Sequence, residues 1–305
     1  MTLYGGAVPD VAANPESTAS TSSGGAGGAA ETDRVPAADP IPAALLSELT
    51  TAGLRLERTG RRADVVLSVP DRRNAQTPAT WRALAAVGAW LWDRADVVVL
   101  RGQGASFSAG LDRRAFTPDG IPGEPGLFQL AGLDDAELDA RIASYQDGFT
   151  IWSDAPFVSM AAVQGHAVGA GFQLALACDL RLAADDAQFA MREPSLGLVP
   201  DLGGTGPLVA AVGYPRALEI CATGRWVSAE EAARLGLVQT VVAADQLLRE
   251  VDRWVDLLLA APAAAVRATK PLLRDAATRD PDAQRAAERM AQAGRLRALV
   301  RGATR

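Results

Sequence analysis

The sequence is poor in the side chains that hold metals and form cross-links. It has one histidine, His166, and two cysteines, Cys178 and Cys221, in 305 residues. A lone histidine excludes a histidine-rich metal site and any His–His pair. Both cysteines sit in apolar segments without metal-ligand spacing, which reads as two free buried thiols. Positive charge is missing where it would mark a leader. The first basic residue is Arg34, so no cationic region precedes an apolar run. Neither a secretory signal nor an arginine-rich transit peptide is expected. No uninterrupted apolar run reaches the ~18 residues of a membrane span. The net charge is −6, of which −4 falls in residues 1–40, leaving the rest close to neutral. Nothing in that balance suggests a nucleic-acid-binding surface. These absences describe a cytoplasmic protein that binds neither nucleic acid nor membrane.

What is present is ordinary for a folded chain: 49% hydrophobic and 22% charged residues, with length enough for a sizeable core. Residues 1–40 are rich in Ala, Gly, Ser, Thr and Pro. Such a stretch cannot bury enough apolar surface to offset its ordering entropy, and it reads as a disordered tail. A short helix is expected from about Ile41, with Ala43–Leu49 as its apolar part. The body is placed at 53–248, after a tail region of 1–50, with a helical region at 249–305.

Within the body, Ala63–Val69 reads as a strand, and Asp71–Asn74 as a turn. Thr77 caps a helix with Pro78 at its first position, and Trp81, Leu84, Val87 and Leu91 follow at helical spacing. Asp96–Leu100 and Val158–Val163 read as buried strands. Residues 117–133, rich in Pro and Gly, read as a mobile loop, followed by a helix over Asp134–Ser153. A Gly165–Gly171 loop leads into a helix over Ala170–Ala177, then a strand over Asp179–Ala183. This alternation predicts a βαβ architecture. Beyond Gly206 the chain turns helical, with a capping pattern at Ser228–Glu231 and Gly236 as a helix-ending glycine.

Two loops of small residues follow buried strands: Ser106–Asp112 and Gln164–Gly171. Small residues let a ligand approach the backbone. The second loop runs straight into a helix, whose first N–H groups have no internal partner and favour developing negative charge. Side by side, the loops could form an oxyanion hole. Three polar residues then stand out: Gln173, Glu193 and Asp201. Two carboxyl groups suit proton transfer, whereas an amide neither takes nor gives a proton usefully at neutral pH. On local pattern alone, Gln173 could equally be a satisfied helix residue and Asp201 a turn residue.

The blocks Arg73–Ala75, Phe107–Asp112, Ala162–Gly171, Ala177–Arg181, Ala187–Phe189, Glu193–Gly197, Pro200–Thr205 and Ala232–Val238, in that order and spacing, resemble the crotonase (enoyl-CoA hydratase/isomerase) superfamily. The resemblance implies an α/β fold, a ββα spiral with a C-terminal helical region that assembles homotrimers or dimers of trimers. It implies an acyl-CoA thioester substrate and no cofactor beyond the CoA the substrate carries. The oxyanion-hole N–H groups map to Leu111 and Ala170, with Ala109, Gly110, Asp112, Arg113, Arg114, Gly169 and Gly171 lining the CoA path. Glu193 matches one glutamate of the family's hydratases, and Gln173 stands where the other is expected. The resemblance therefore leaves three readings: isomerisation or hydration of an enoyl-CoA with Glu193 as acid/base, a non-catalytic acyl-CoA-binding homologue, or a specialised enzyme using Asp201. His166 is taken as structural.

Overall fold

The computed structural model describes residues 39–303. The expected disordered stretch therefore lies almost entirely outside the described residues. Along the described chain the elements are α1 (Ala43–Thr51), β1 (Leu54–Thr59), β2 (Arg62–Leu67), α2 (Pro78–Leu91), β3 (Val97–Gly102), α3 (Leu127–Leu130), α4 (Asp135–Asp154), β4 (Val158–Val163) and β5 (His166–Val168). There follow α5 (Ala170–Ala177), β6 (Leu180–Ala184), β7 (Gln188–Ala190), α6 (Thr205–Val212), α7 (Tyr214–Thr223), β8 (Val227–Ser228), α8 (Ala229–Arg234), β9 (Thr240–Val242), α9 (Leu247–Ala260), α10 (Ala263–Asp275) and α11 (Pro281–Ala303).

A large sheet has the order β1-β2-β3-β4-β6-β9 and a small one β5-β7-β8. The β1–β2 pair is antiparallel, and the rest of the large sheet is parallel. Alternating side chains bury both faces, which is why its inner strands read as continuous apolar runs. Val98 and Leu100 of β3 and Ala161 and Val163 of β4 join the main core with Leu84, Val87 and Leu91 of α2 and Phe149 and Trp152 of α4. Val97, Val99, Met160 and Ala162 face the other way, where Leu247, Val251 and Val255 of α9 cover them.

The spiral expected from the resemblance is visible in how each turn feeds both sheets. From β4 the chain passes to β5 in the small sheet, then through α5 back to β6, and from β6 to β7. The preceding turns do the same with single bridges in place of strands. Ser108 pairs with Ala167 of β5, and Leu111 pairs with Gln76, both in parallel sense.

Several expectations need correction. Strand β1 was not anticipated; its exposed Arg55 and Glu57 alternate with buried Leu54 and Leu56, as on a half-covered edge. The Gly165–Gly171 loop contains β5. The 117–133 loop contains the single helical turn α3, and the Glu124 carboxylate ties it to Arg82 of α2. Helix α1 buries Leu49 in the main core, so the described body begins before residue 53. Helix α9 starts at Leu247 and covers the sheet, so a division at 249 cuts a core helix. Thr77 caps α2 as expected, accepting from the Thr80 N–H at 3.3 Å, with Pro78 at the first position.

Candidate active site

The two small-residue loops lie against each other as a short parallel ladder. The Phe107 N–H donates to Gln164 O at 2.9 Å and the Ser108 N–H to His166 O at 2.9 Å; the Val168 N–H then donates back to Ser108 O at 3.0 Å. The ladder stops at Gly110, whose N–H turns to its own loop and donates to Ser108 Oγ at 3.2 Å. A side chain at Gly110 would overlap the Val168 carbonyl oxygen, and one at Gly171 would overlap Ser108. Close backbone approach is what requires glycine there.

Past the end of this ladder come Leu111 and Ala170. Among the described residues neither N–H has a hydrogen-bond acceptor in the protein. Leu111 is gripped on both sides by Gln76, whose N–H donates to Gly110 O at 2.7 Å and whose carbonyl accepts from the Asp112 N–H at 2.8 Å. Ala170 is the first residue of α5, entered through Gly169 at φ +51° and ψ −120°, a backbone conformation open in practice only to glycine. The expected oxyanion-hole donors thus stand on neighbouring loops.

Sequence reasoning missed the residues that hold the first loop. Ser108 Oγ–H donates to Asn74 O at 2.8 Å and accepts from Gln76 Nε2 at 3.0 Å. Gln76 Oε1 accepts from Trp81 Nε1 at 2.8 Å. Asn74 Nδ2 donates to Gln103 O and Ser106 O, at 2.9 and 2.8 Å, and its Oδ1 accepts from the Val69 N–H. Arg73 and Asn74 both take left-handed conformations to make this turn, at φ +49° and +53°. Asn74, Gln76 and Ser108 are at most 1% exposed, so each bond is made in a medium where losing it is costly. A run of polar residues between a strand and a helix cap was the available signal.

Glu193 opens a short helical turn, Glu193–Leu196, after β7. Its carboxylate lies over Gly169, where a Cβ would come within 3.2 Å of Glu193 Oε1. That places it over the residue that leads into Ala170. Oε1 accepts from Gln173 Nε2 at 2.7 Å. Oε2 is buried, with no hydrogen-bond partner among the described residues. Burial pushes the carboxyl above the ordinary glutamate range; the backbone N–H of Glu193, the Gln173 N–H and the Arg192 backbone N–H oppose the push, and the nearby Asp201 adds to it. Asp201 is half-buried, and burial raises its carboxyl too. Its backbone carbonyl accepts from Gln146 of α4 at 2.7 Å.

Gln173 is wholly buried on α5. Its amide oxygen accepts from the N–H groups of Leu202 and Gly204, at 3.0 and 3.3 Å. Asp112 is also buried, and it holds Arg114 by two side-chain bonds of 3.0 Å and Arg72 by one of 2.9 Å. The Arg114 guanidinium, with Arg72 beside it, holds the Asp112 carboxyl below the usual range. Arg113 and Arg114 are exposed at the rim next to Leu111, and Ala109 is half-buried in the loop before it. His166 contacts Ser106 Oγ through Nδ1 at 3.3 Å and stacks edge-on with Trp226.

The arrangement therefore offers two free backbone donors, a carboxylate with one committed and one unpartnered oxygen, and a second carboxyl close enough to influence it. Comparison with known proteins points the same way. Residues 63–297 match the family model described as enoyl-CoA hydratase/isomerase. A Rhizobium meliloti protein named a probable enoyl-CoA hydratase is 36% identical over 199 residues, 65% of this chain and 71% of that protein. A Mycobacterium bovis protein of the same name is 31% identical over 227 residues, 73% of this chain and 81% of its own. Among solved structures, a Thermobifida fusca protein assigned as an enoyl-CoA hydratase, in complex with CoA, superposes with a TM-score of 0.80. It is 49% identical and covers 84% of this chain and 97% of its own. The same protein in complex with acetoacetyl-CoA gives 0.80 and 50% identity over 83% and 98% of the two chains. With the family model spanning most of its length and the spiral and paired loops in place, this chain belongs to the enoyl-CoA hydratase/isomerase family.

Proposed function

We propose that the protein forms and reprotonates an enolate of an acyl-CoA thioester, and that its reaction is double-bond isomerisation of an enoyl-CoA. The unpartnered, buried Oε2 of Glu193, whose carboxylate lies over Gly169 at the entrance to α5, carries this reading. The thioester oxygen sits between the N–H groups of Leu111 and Ala170. Glu193 Oε2 takes the α-proton of a 3-enoyl-CoA. The C–H electron pair becomes a carbon–carbon double bond, and the carbonyl pair moves onto the oxygen that the two donors hold. When that oxygen's pair returns, the γ-carbon takes a proton from Glu193 or Asp201 and a 2-enoyl-CoA results. No atom is gained or lost. A raised carboxyl pKa suits a group that must both take and return a proton near neutral pH. The chemistry uses no cofactor other than the CoA of the substrate, whose phosphates the arginines at the rim would meet. The T. fusca relative crystallised with CoA and acetoacetyl-CoA supports the substrate class.

A second reading is water addition to a 2-enoyl-CoA, and Asp201 favours it, as a second carboxyl electrostatically coupled to Glu193. A third is acyl-CoA binding without turnover. We also propose that the chain works as a homotrimer or dimer of trimers in the cytoplasm; no described helix is long and apolar enough to cross a membrane.

Incubation with a 3-enoyl-CoA and with crotonyl-CoA in deuterium oxide, followed by mass spectrometry, separates these readings. We expect deuterium at the α-carbon and interconversion of 2- and 3-enoyl thioesters, lost at least about a hundredfold in Glu193→Gln. A hydroxyacyl product would replace isomerisation by hydration. Tight binding without exchange would leave the binding role.

A further inference from the structure

The amide at position 173 reaches both carboxylate-bearing segments at once. Gln173 Nε2 donates to Glu193 Oε1 at 2.7 Å, while Gln173 Oε1 accepts from the N–H groups of Leu202 and Gly204 in the turn that carries Asp201. The side chain has no room to move. It is 0% exposed, and a Cβ on Gly204 would come within 2.7 Å of its Cγ. The geometry points to Gln173 as a positioning residue that fixes Glu193 against the Asp201 turn and reserves Oε2 as the proton-transferring oxygen. This rests on the reading of Glu193 as the acid/base group.

The physical reason is the direction of the hydrogen bond. A donor aimed at Oε1 at 2.7 Å takes up one lone pair of that oxygen and makes it the less basic of the two. Protonation of Glu193 is then biased toward Oε2, the oxygen without a partner among the described residues. The same donor favours the charged form and so opposes burial. A carboxylate at position 173 would do the reverse, since it donates only when protonated. The backbone N–H groups of Glu193 and Arg192 also favour the charged form, but no other side chain facing Glu193 supplies such a donor. Asp201 from the following turn carries the same charge, and Cys221 of α7 is a thiol that its surroundings hold neutral. The side chain of Arg192, the residue before Glu193, is turned onto the Trp226 ring at 4.9 Å, and His166 is engaged with Ser106 and Trp226.

The test is a titration of Glu193 by carbon NMR in glutamate-labelled full-length protein, the signal being identified by its loss in Glu193→Gln. The wild type is compared with Gln173→Leu and Gln173→Glu, and α-proton exchange is followed over the same pH range. Gln173→Leu should titrate Glu193 about one to two pH units higher, the size of a lost hydrogen bond to a charged group, and the pH limb of exchange should move with it. Gln173→Glu keeps acceptors for Leu202 and Gly204, so the turn stays while the donor becomes pH-dependent. Glu193 should then titrate in two coupled steps, with exchange surviving only on the acid side. Midpoints at the wild-type position in the folded variants overturn the proposal. The titration reads Glu193 whether or not the enzyme turns over the chosen thioester. A shifted midpoint without wild-type exchange would therefore sink the isomerase reading and leave the positioning role standing.

Discussion

Glu193 and Asp201 sit in the fold at a cost. Burial raises both carboxyl groups above their ordinary values, so between those values and the raised ones the folded chain holds more protons than the unfolded chain. Stability therefore falls as pH rises through that window, and the penalty is full above it. Replacing Glu193 by Gln removes the buried charge while leaving an oxygen for the Gln173 donor. We expect Glu193→Gln to unfold at a higher temperature than wild type at pH 7, and the gain to vanish in acid; thermal melts at several pH values read this directly. A variant more stable and less active is the usual signature of a site built against stability. Glu193, Leu111 and Ala170 stood out as candidates because their signals are local: a motif, a small-residue loop and a helix start. The hydrogen bonds of Gln173 did not show in the sequence. The residue itself was visible, but its partners Glu193, Leu202 and Gly204 lie 20 to 31 residues further along the chain. Gln76 and Ser108 were hidden for the same reason, 32 residues apart in sequence and 3.0 Å apart in space.

At the scale of elements, α2 shows how a cap serves both folding and the site. Its first turn is closed by reciprocal bonds between Thr77 and Thr80, and Thr80 Oγ1–H also donates to Ala52 O at 3.0 Å. Thr77 follows Gln76, the residue that brackets Leu111. We expect Thr77→Ala to lower stability by about 1 kcal/mol in chemical denaturation, and to lower turnover by loosening the Leu111 loop while leaving the exchange pH profile unshifted. This helix was readable from its cap, proline and apolar spacing. Strand β4 was readable as a continuous apolar run, and α5 from the glycines before it. The small sheet was not readable: β5, β7 and β8 span three, three and two residues, too few for a period to show.

The whole molecule ends in a helical arm whose attachment is uneven. Lys270, the chain's single lysine, inserts its ammonium among Asp179 Oδ2 at 2.7 Å, Phe157 O at 2.8 Å and Trp152 O at 3.2 Å, and so fastens α10 to the body. Farther out, Leu273, Met290, Leu296, Leu299 and Val300 are all more than half exposed. Apolar surface gathered on one arm fits the proposed assembly. Light scattering after gel filtration should return three or six copies, and Leu296→Asp with Leu299→Asp should return fewer. Of this scale the sequence showed the helical arm and its periodicity, but the Lys270 anchor, a tertiary contact across 91 residues, was invisible. One consequence follows from the ladder that joins the two loops. Each loop's shape is the other's boundary, so neither tolerates added atoms on its inner side. Saturation mutagenesis should find the glycines at 110 and 171 nearly immutable, while 173, 193 and 201 accept replacements that fold. New reactions on this scaffold would then arise by exchanging side chains around a fixed pair of loops, and position 173 is one where the proposed site would permit such an exchange.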